Sequence, residues 1–473
     1  MSESPALSAL FASRRLHRLG LLALIAVCVW LYYRSPLQDP MLVGCGLLIV
    51  VLAAMPALEW ARLHRPWFPT FEIFMLTVVN FYAIPLLAGH PSAFTFTDSV
   101  TWQAAVAVVV FQLVAILGFS LARWQPLQRG WWFESLLPDT MLRKTQLGLW
   151  LNTLYLGLVQ FTDLIPWQFA SILRAVFFGV GIMSLFIQSR QWGLGALTTA
   201  EKGAVCVNVI AQMVLLFSNL YLIQGITLFI LAIIGYATAS RKVPLVLVGV
   251  VIAAVAVLHN GKSAMRAIYW QGGMNAPTLT ELPAFYSQWV GLGMAASKQQ
   301  EEVNRSLTEN LFERASLFQM LCLVADRVPA YQPYLYGQSY EDIPALLIPR
   351  IVWPEKPSTL LSNVRLALYF HLVDEDTALK VSIAFGPLAE AYANFGLVGM
   401  ALLGLFVGLG FKYASLLSVG AAQLSAIGLF VILLTAWSFQ VELVAATWVT
   451  SLFQAAVVVL GVPLLYRFFF RKT

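Results

Sequence analysis

The chain has 473 residues, of which 59% are hydrophobic and 11% charged, with a formal net charge of +6. A soluble globular surface needs roughly 25% charged residues, so this composition and a mean hydropathy of +0.77 exclude a soluble fold. The four cysteines, Cys28, Cys45, Cys206 and Cys322, lie far apart with no paired or histidine-linked spacing, which indicates neither a disulfide framework nor a zinc site.

In chain order, the first apolar run follows Arg14, Arg15 and Arg18 and ends in the bulky Tyr32, Tyr33 and Arg34. It lacks a small-residue cleavage site and reads as an uncleaved first span. A bilayer core of about 30 Å takes about 20 apolar residues per helix. That rule predicts about twelve spans, at 19–33, 41–58, 69–88, 102–121, 145–161, 169–188, 203–218, 222–239, 243–258, 384–410, 415–438 and 443–466. The expected fold is an all-α polytopic membrane protein with one large extracytoplasmic loop carrying amphipathic helices. Three parts follow: a membrane bundle of about nine spans over 1–258, the loop over 259–383, and a bundle of about three spans over 384–473.

Lys and Arg in short loops mark the cytoplasmic side. With the N-terminus inside, Arg62, Arg65, Arg123, Arg129, Arg143, Lys144, Arg190, Lys202, Arg241, Lys242, Lys412, Arg467, Arg471 and Lys472 all fall inside, and Arg34 alone breaks the pattern. Both termini are then cytoplasmic, in a plasma membrane. The net charge reflects this bias, so it carries no nucleic-acid inference.

The hydrophilic segment at 259–383 falls outside, and holds ten Lys/Arg and twelve Asp/Glu. Long translocated loops escape the positive-inside rule, so those cations need another reason. His259-Asn260-Gly261-Lys262-Ser263 has only the tail of a P-loop, with Ala256 where the first glycine belongs, so ATP binding is rejected. Lys262 and Arg266 stand at i, i+4, and read either as interfacial anchors or as a grip on a lipid pyrophosphate. Leu307, Leu311, Ala315, Phe318, Leu321, Ala325 and Val328 recur at helical spacing and predict an amphipathic helix on the membrane surface or on the span bundle. Arg305, Arg314 and Arg327 ride on or end it, paired with neighbouring acids or turned to a ligand.

Prolines 329, 333, 344, 349, 354 and 357 then forbid a long helix and favour a stiff connector. Arg350 follows Pro349 directly, with Trp353 three residues on; its planar fork suits a pair of phosphate oxygens, and pairing with Glu355 is the alternative. Asp374-Glu375-Asp376 reads as a solvated acidic turn, and the five histidines make no metal spacing. Ionisable groups in spans are costly. Glu390, at the outer end of the tenth span with Asn394 one turn deeper, reads as a general base or as a partner orienting a loop arginine. Ala389, Ala393, Gly396, Gly399, Gly404 and Gly408 let helices approach closely around it.

The ordered set Gly-Lys-Ser-x-x-Arg-x-x-Tyr-Trp (261–270), Glu-Arg-Ala-Ser (313–316), Gly-Gln-Ser-Tyr (337–340), Ile-Pro-Arg-x-x-Trp-Pro-x-Lys-Pro (348–357) and Glu-Ala-Tyr-x-Asn-Phe-Gly-x-x-Gly (390–399) resembles the bacterial oligosaccharide repeat-unit polymerases, the Wzy-type O-antigen and capsule polymerases. The resemblance covers 259–400. It implies a metal- and cofactor-independent glycosyltransferase of the GT-C-like membrane kind, working on the outer face of a bacterial inner membrane. Such an enzyme moves a growing glycan from undecaprenyl diphosphate to a sugar hydroxyl of a second lipid-linked repeat. The implied partners are that lipid-linked oligosaccharide, membrane lipid, and a chain-length regulator or flippase of the same pathway.

On the same resemblance, Arg350, Arg327, Arg314 and Glu390 are catalytic, and the three arginines form the diphosphate clamp with Lys262 and Arg266. Lys356 and Trp353 support it on the substrate side, and Glu390 with Tyr392 or Asn394 faces the acceptor. The nearest alternative is an O-antigen ligase, which shares donor and layout. A transporter or lipid flippase is the alternative of another class; the first nine predicted spans have almost no deep charge to serve it.

Overall fold

A computed structural model describes residues 14–89, 95–121, 130–136, 142, 144–162, 164–165, 167–220, 222–240, 242–271, 277–302, 317–348, 352–375, 383–422 and 424–470. The fold is 77% helical, with no strand among the described residues. In chain order the main helices are α1 (Arg14–Arg34), α2 (Pro40–Arg62), α3 (Thr70–Leu87), α4 (Asp98–Leu121), α5 (Thr145–Phe161), α6 (Trp167–Gly193), α7 (Thr199–Phe217) and α8 (Leu222–Ser240). They continue as α9 (Leu245–Arg266), α10 (Leu282–Glu302), α11 (Leu317–Arg327), α12 (Ile343–Leu347), α13 (Leu361–Tyr369), α14 (Gly386–Ser418), α15 (Ala426–Trp437) and α16 (Ala445–Phe470).

Seven of these are long and apolar enough to cross a membrane: α1 to α4, α7, α9 and α14. Their length and apolarity point to a helical membrane protein. The other five predicted intervals fall on α5, α6, α8, α15 and α16. The interval 415–438 joins the end of α14 to the 12-residue α15, nearly every residue of which is buried.

The chain packs as two compact units, residues 1–135 with 312–457, and residues 136–311 with 458–473. The helix leading into the segment at 259 does not stop there. α9 continues to Arg266 and a π turn carries it to Gln271.

In the first unit, α14 lies along α4 at a seam of glycines. A β-carbon at Gly404 would stand 2.5 Å from the Phe111 carbonyl oxygen, and one at Gly408 2.3 Å from that of Ala115. Such contacts let two backbones touch without side chains between them. α11 is the described part of the predicted amphipathic helix. Its Leu317, Phe318, Leu321, Val324 and Ala325 are buried, and it packs on α14 and α4, which settles the choice between membrane surface and bundle. Glu72, on α3, accepts from Trp67 Nε1 at 3.1 Å, and Lys412 Nζ sits 4.7 Å over the Trp67 ring.

In the second unit, α5, α6 and α7 share a polar seam. Asn152 Nδ2 donates to Gln212 Oε1 at 2.9 Å, and Gln212 Nε2 donates to Asn208 Oδ1 at 2.7 Å. Gly181 on α6 makes room for Asn152, since a β-carbon there would lie 2.5 Å from its amide. In α9 and α10, Gly261 abuts the Trp289 carbonyl and Gly293 that of Val257, so these helices cross in close contact.

Candidate functional site

The most densely bonded polar cluster in the first unit is built on the first half of α14. Gly386 enters the helix at φ +72°, where a β-carbon would stand 2.9 Å from the Val441 carbonyl oxygen, and its N–H donates to the Glu442 carbonyl at 3.2 Å. Pro387 follows at the first turn, where a missing N–H costs nothing. One turn on, Glu390 is fully buried. Its Oε2 accepts from the Ala445 N–H at 2.6 Å, so the carboxylate caps the start of α16, where unpaired N–H groups and the helix dipole favour negative charge. Its Oε1 has no hydrogen bond of good geometry, although Ser339 stands beside it.

Asn394, one further turn along, uses both ends of its amide. Oδ1 accepts from the Gly337 N–H, and Nδ2 donates to Ser339 Oγ and to the Glu390 carbonyl, each at 2.8 Å. The helix then breaks. Phe395 (φ −144°, ψ 16°) and Gly396 (φ 58°, ψ −139°) leave helical geometry, which strips the Ala393 and Asn394 carbonyls of their intrahelical donors. The turn at 335–337 replaces those donors: Leu335 N–H donates to Ala393 O at 3.0 Å and Tyr336 N–H to Asn394 O at 3.1 Å. Glycine is required at 396, because a β-carbon there would lie 2.6 Å from the Tyr334 hydroxyl and φ is positive.

The run from Leu397 to Ser418 is long enough to span by itself, about 33 Å at 1.5 Å per residue. The half-helix from Gly386 to Asn394 is thereby free to hold a site rather than to cross lipid. Tyr392 is buried and its hydroxyl accepts from Gln103 Nε2 on α4. Tyr340 closes the cluster. Burial pushes its phenol up, the Glu390 carboxylate adds to that, and a hydrogen bond with Asn394 opposes it.

Lys356 is 7% exposed and its Nζ donates to the Leu346 and Ile348 carbonyls at 2.8 and 2.6 Å, so the ammonium ties itself to the C-terminal end of α12. Trp353 and Arg327 are exposed, and Arg327 has Asp326 as a distant partner at 3.9 Å. Arg314 and Arg350 lie outside the described residues, as do Arg305 and Asp376. Lys262 and Arg266 belong to the second unit, both within α9. Arg266 Nη2 donates at 2.9 Å to the carbonyl of Leu220, a residue in left-handed geometry. Glu390, Tyr392, Asn394, Lys356, Trp353 and Arg327 all belong to the first unit.

Sequence reasoning missed Ser339, Tyr340, Gln103 and Arg365. Arg365, on α13, donates to the Gln338 carbonyl and to Glu341 Oε1, at 2.7 and 2.6 Å, and approaches Asp342 at 3.2 Å. The available signal was the run Gly-Gln-Ser-Tyr at 337–340 and a glutamine inside an apolar span. Among the described residues no His, Cys, Asp and Glu gather in a group of three able to hold a metal ion.

Residues 140–441 match the model of a family described as a domain of unknown function, DUF8712. The chain belongs to the DUF8712 family. The matched region takes in the turn at 335–340 and the Glu390–Asn394 half-helix, whereas Gln103 and Glu72 precede it. No curated protein and no solved structure matches the chain.

Proposed function

We propose that this DUF8712 member is an integral-membrane glycosyltransferase that polymerises lipid-linked oligosaccharide repeat units. In this reading a growing glycan passes from undecaprenyl diphosphate to a sugar hydroxyl of another lipid-linked repeat, in the synthesis of a surface polysaccharide. The observation that carries the reading is the packing of two segments from the polymerase-like motif set against each other. Gly-Gln-Ser-Tyr and Glu-Ala-Tyr-x-Asn-Phe-Gly, about 50 residues apart in sequence, share the Asn394 amide and the interrupted backbone of α14.

The chemistry follows from charge. A new bond forms between the anomeric carbon and the acceptor oxygen as the bond to the diphosphate breaks, and the leaving group departs with the electron pair. Cations aimed at that group stabilise the developing charge, which is the role given to Arg350, Arg327 and Arg314. The departing diphosphate is itself able to take the acceptor's proton. Glu390 and Asn394 are positioning residues here, since neither side chain is exposed. The topology of the proposal places both termini in the cytoplasm and residues 259–383 on the outer face of a bacterial inner membrane, on the distribution of Lys and Arg. The count of about twelve spans belongs to the same proposal.

A second reading is favoured by one feature. Transporters build substrate sites on interrupted membrane helices, and α14 is interrupted. The break, however, precedes a run long enough to span alone. The test is incubation of the purified protein with an undecaprenyl-diphosphate-linked repeat, without nucleotide or added metal. Chain lengthening that disappears in Arg350→Ala upholds the transferase. Activity undiminished by that change or dependent on a divalent metal overturns this mechanism, and movement of the glycan lipid across vesicles without lengthening favours the transporter.

A further inference from the structure

The turn that pairs with the broken helix presents one aromatic ring to the outside in a conformation that its backbone fixes. Tyr336 is 70% exposed, yet its N–H is bonded to the Asn394 carbonyl and the next N–H to the Asn394 side chain. Tyr336 has φ +47° and Gly337 φ +95°, two successive left-handed residues. A side chain rarely adopts that geometry and holds it only where surrounding bonds over-determine it, often at binding sites. The ring is also braced from behind. Tyr334 meets it edge to face with centroids 6.2 Å apart, and Phe395 at 6.5 Å. Little ordering is therefore left to do when a ligand lands on it.

What surrounds the ring selects the ligand. Gln338, two residues on, is exposed, and the Arg365 guanidinium holds its carbonyl. Glu341 is 58% exposed on its side chain, with Oε1 on Arg365. An exposed ion pair and an amide on the same pair of turns are incompatible with burial in acyl chains, so the ring is not explained as a lipid contact. An exposed aromatic ring whose adjoining turns carry an amide, a carboxylate and a guanidinium complements a pyranose, which has an apolar C–H face and hydroxyls around its rim. The ring takes the C–H face and the charged rim takes the hydroxyls through charge-assisted hydrogen bonds.

We propose that Tyr336 is the platform of a sugar-binding subsite, with Gln338, Glu341 and Arg365 as its hydroxyl-binding rim. This rests on the glycan-transfer reading and names the part of the substrate that the turn holds, the glycan rather than the diphosphate. The test uses the full-length protein in nanodiscs and, as probe, the oligosaccharide released by mild acid from the polyprenyl-diphosphate pool of the producing cell, followed by saturation-transfer NMR.

Wild type and Tyr336→Phe are expected to bind within about threefold of each other, and Tyr336→Ala about tenfold more weakly, the worth of one aromatic contact. Tyr336→Gly removes the ring while suiting the left-handed backbone, so its expected loss is not a folding defect. Unchanged binding in both Ala and Gly variants, or no binding by wild type, overturns the subsite. So does quenching of Tyr336→Trp fluorescence by lipids brominated along their acyl chains, which would place the ring in hydrocarbon. Ring-dependent glycan binding by a protein that lengthens no chain upholds the subsite and overturns the polymerase; chain lengthening with a KM unmoved by Tyr336→Gly does the reverse.

Discussion

Asn394 joins segments that lie 55 to 57 residues apart. It bonds Gly337, Ser339 and its own helix through one amide, and it is fully buried. Asn394→Leu leaves a buried N–H unpaired, at a cost of about 1–3 kcal/mol, and is expected to lower the thermal midpoint of the purified protein. Gly396→Ala is expected to cost at least about 1–3 kcal/mol through its positive φ alone. Removing the Tyr334 ring recovers only the part due to the collision with the hydroxyl. A pH effect follows from Tyr340. Its phenol is held above the ordinary value near 10, so it contributes stability that is fully present below about pH 10 and is lost as pH rises through the folded-state value. Midpoints measured from pH 8 to 11.5 are expected to fall less steeply for Tyr340→Phe than for wild type.

Among the helices, the α4–α14 seam separates glycines that matter from those that do not. Gly408 faces the Ala115 carbonyl at 2.3 Å, measured from an ideal β-carbon, whereas nothing lies within 4 Å of the same point at Gly410. Gly408→Val must push two backbones apart and is expected to cost about 1–3 kcal/mol or more. Gly410→Ala is expected to be neutral or stabilising by up to about 1 kcal/mol, because alanine is the better helix former. Thermal midpoints and folded yields of the two variants check this pair. Nearby small residues in the sequence announced close approach here, but only the structure says which glycines carry it.

At the scale of the whole molecule, the proposed arrangement of termini is checked by reporter fusions. A phosphatase that needs an oxidising compartment is expected to be active when fused after Glu375 and inactive after Thr473, and a cytoplasmic fluorescent reporter to give the opposite pattern. Activity of the phosphatase at the C-terminus would overturn the topology. Hydropathy placed all seven span-length helices correctly, because a window of about 20 apolar residues measures what a bilayer demands. Over 415–438 the window joined the end of α14 to the short α15, because the apolarity of a buried helix and that of a span look alike to it.

The sequence by itself determined the class of protein, the existence of its apolar helices, and that Glu390 and Asn394, a carboxylate and an amide in an apolar run, must have partners. Tertiary structure alone decided who those partners are. Ala445, Gly337 and Ser339 lie about 50 residues from the groups they bond, and no local pattern encodes such a pairing. It also decided that Lys356 ties itself to the end of α12, that Arg365 holds Gln338 and Glu341, and that Tyr336 faces outward. Each depends on which carbonyl or ring the folded chain brings within bonding distance, and that is set by packing rather than by residue type.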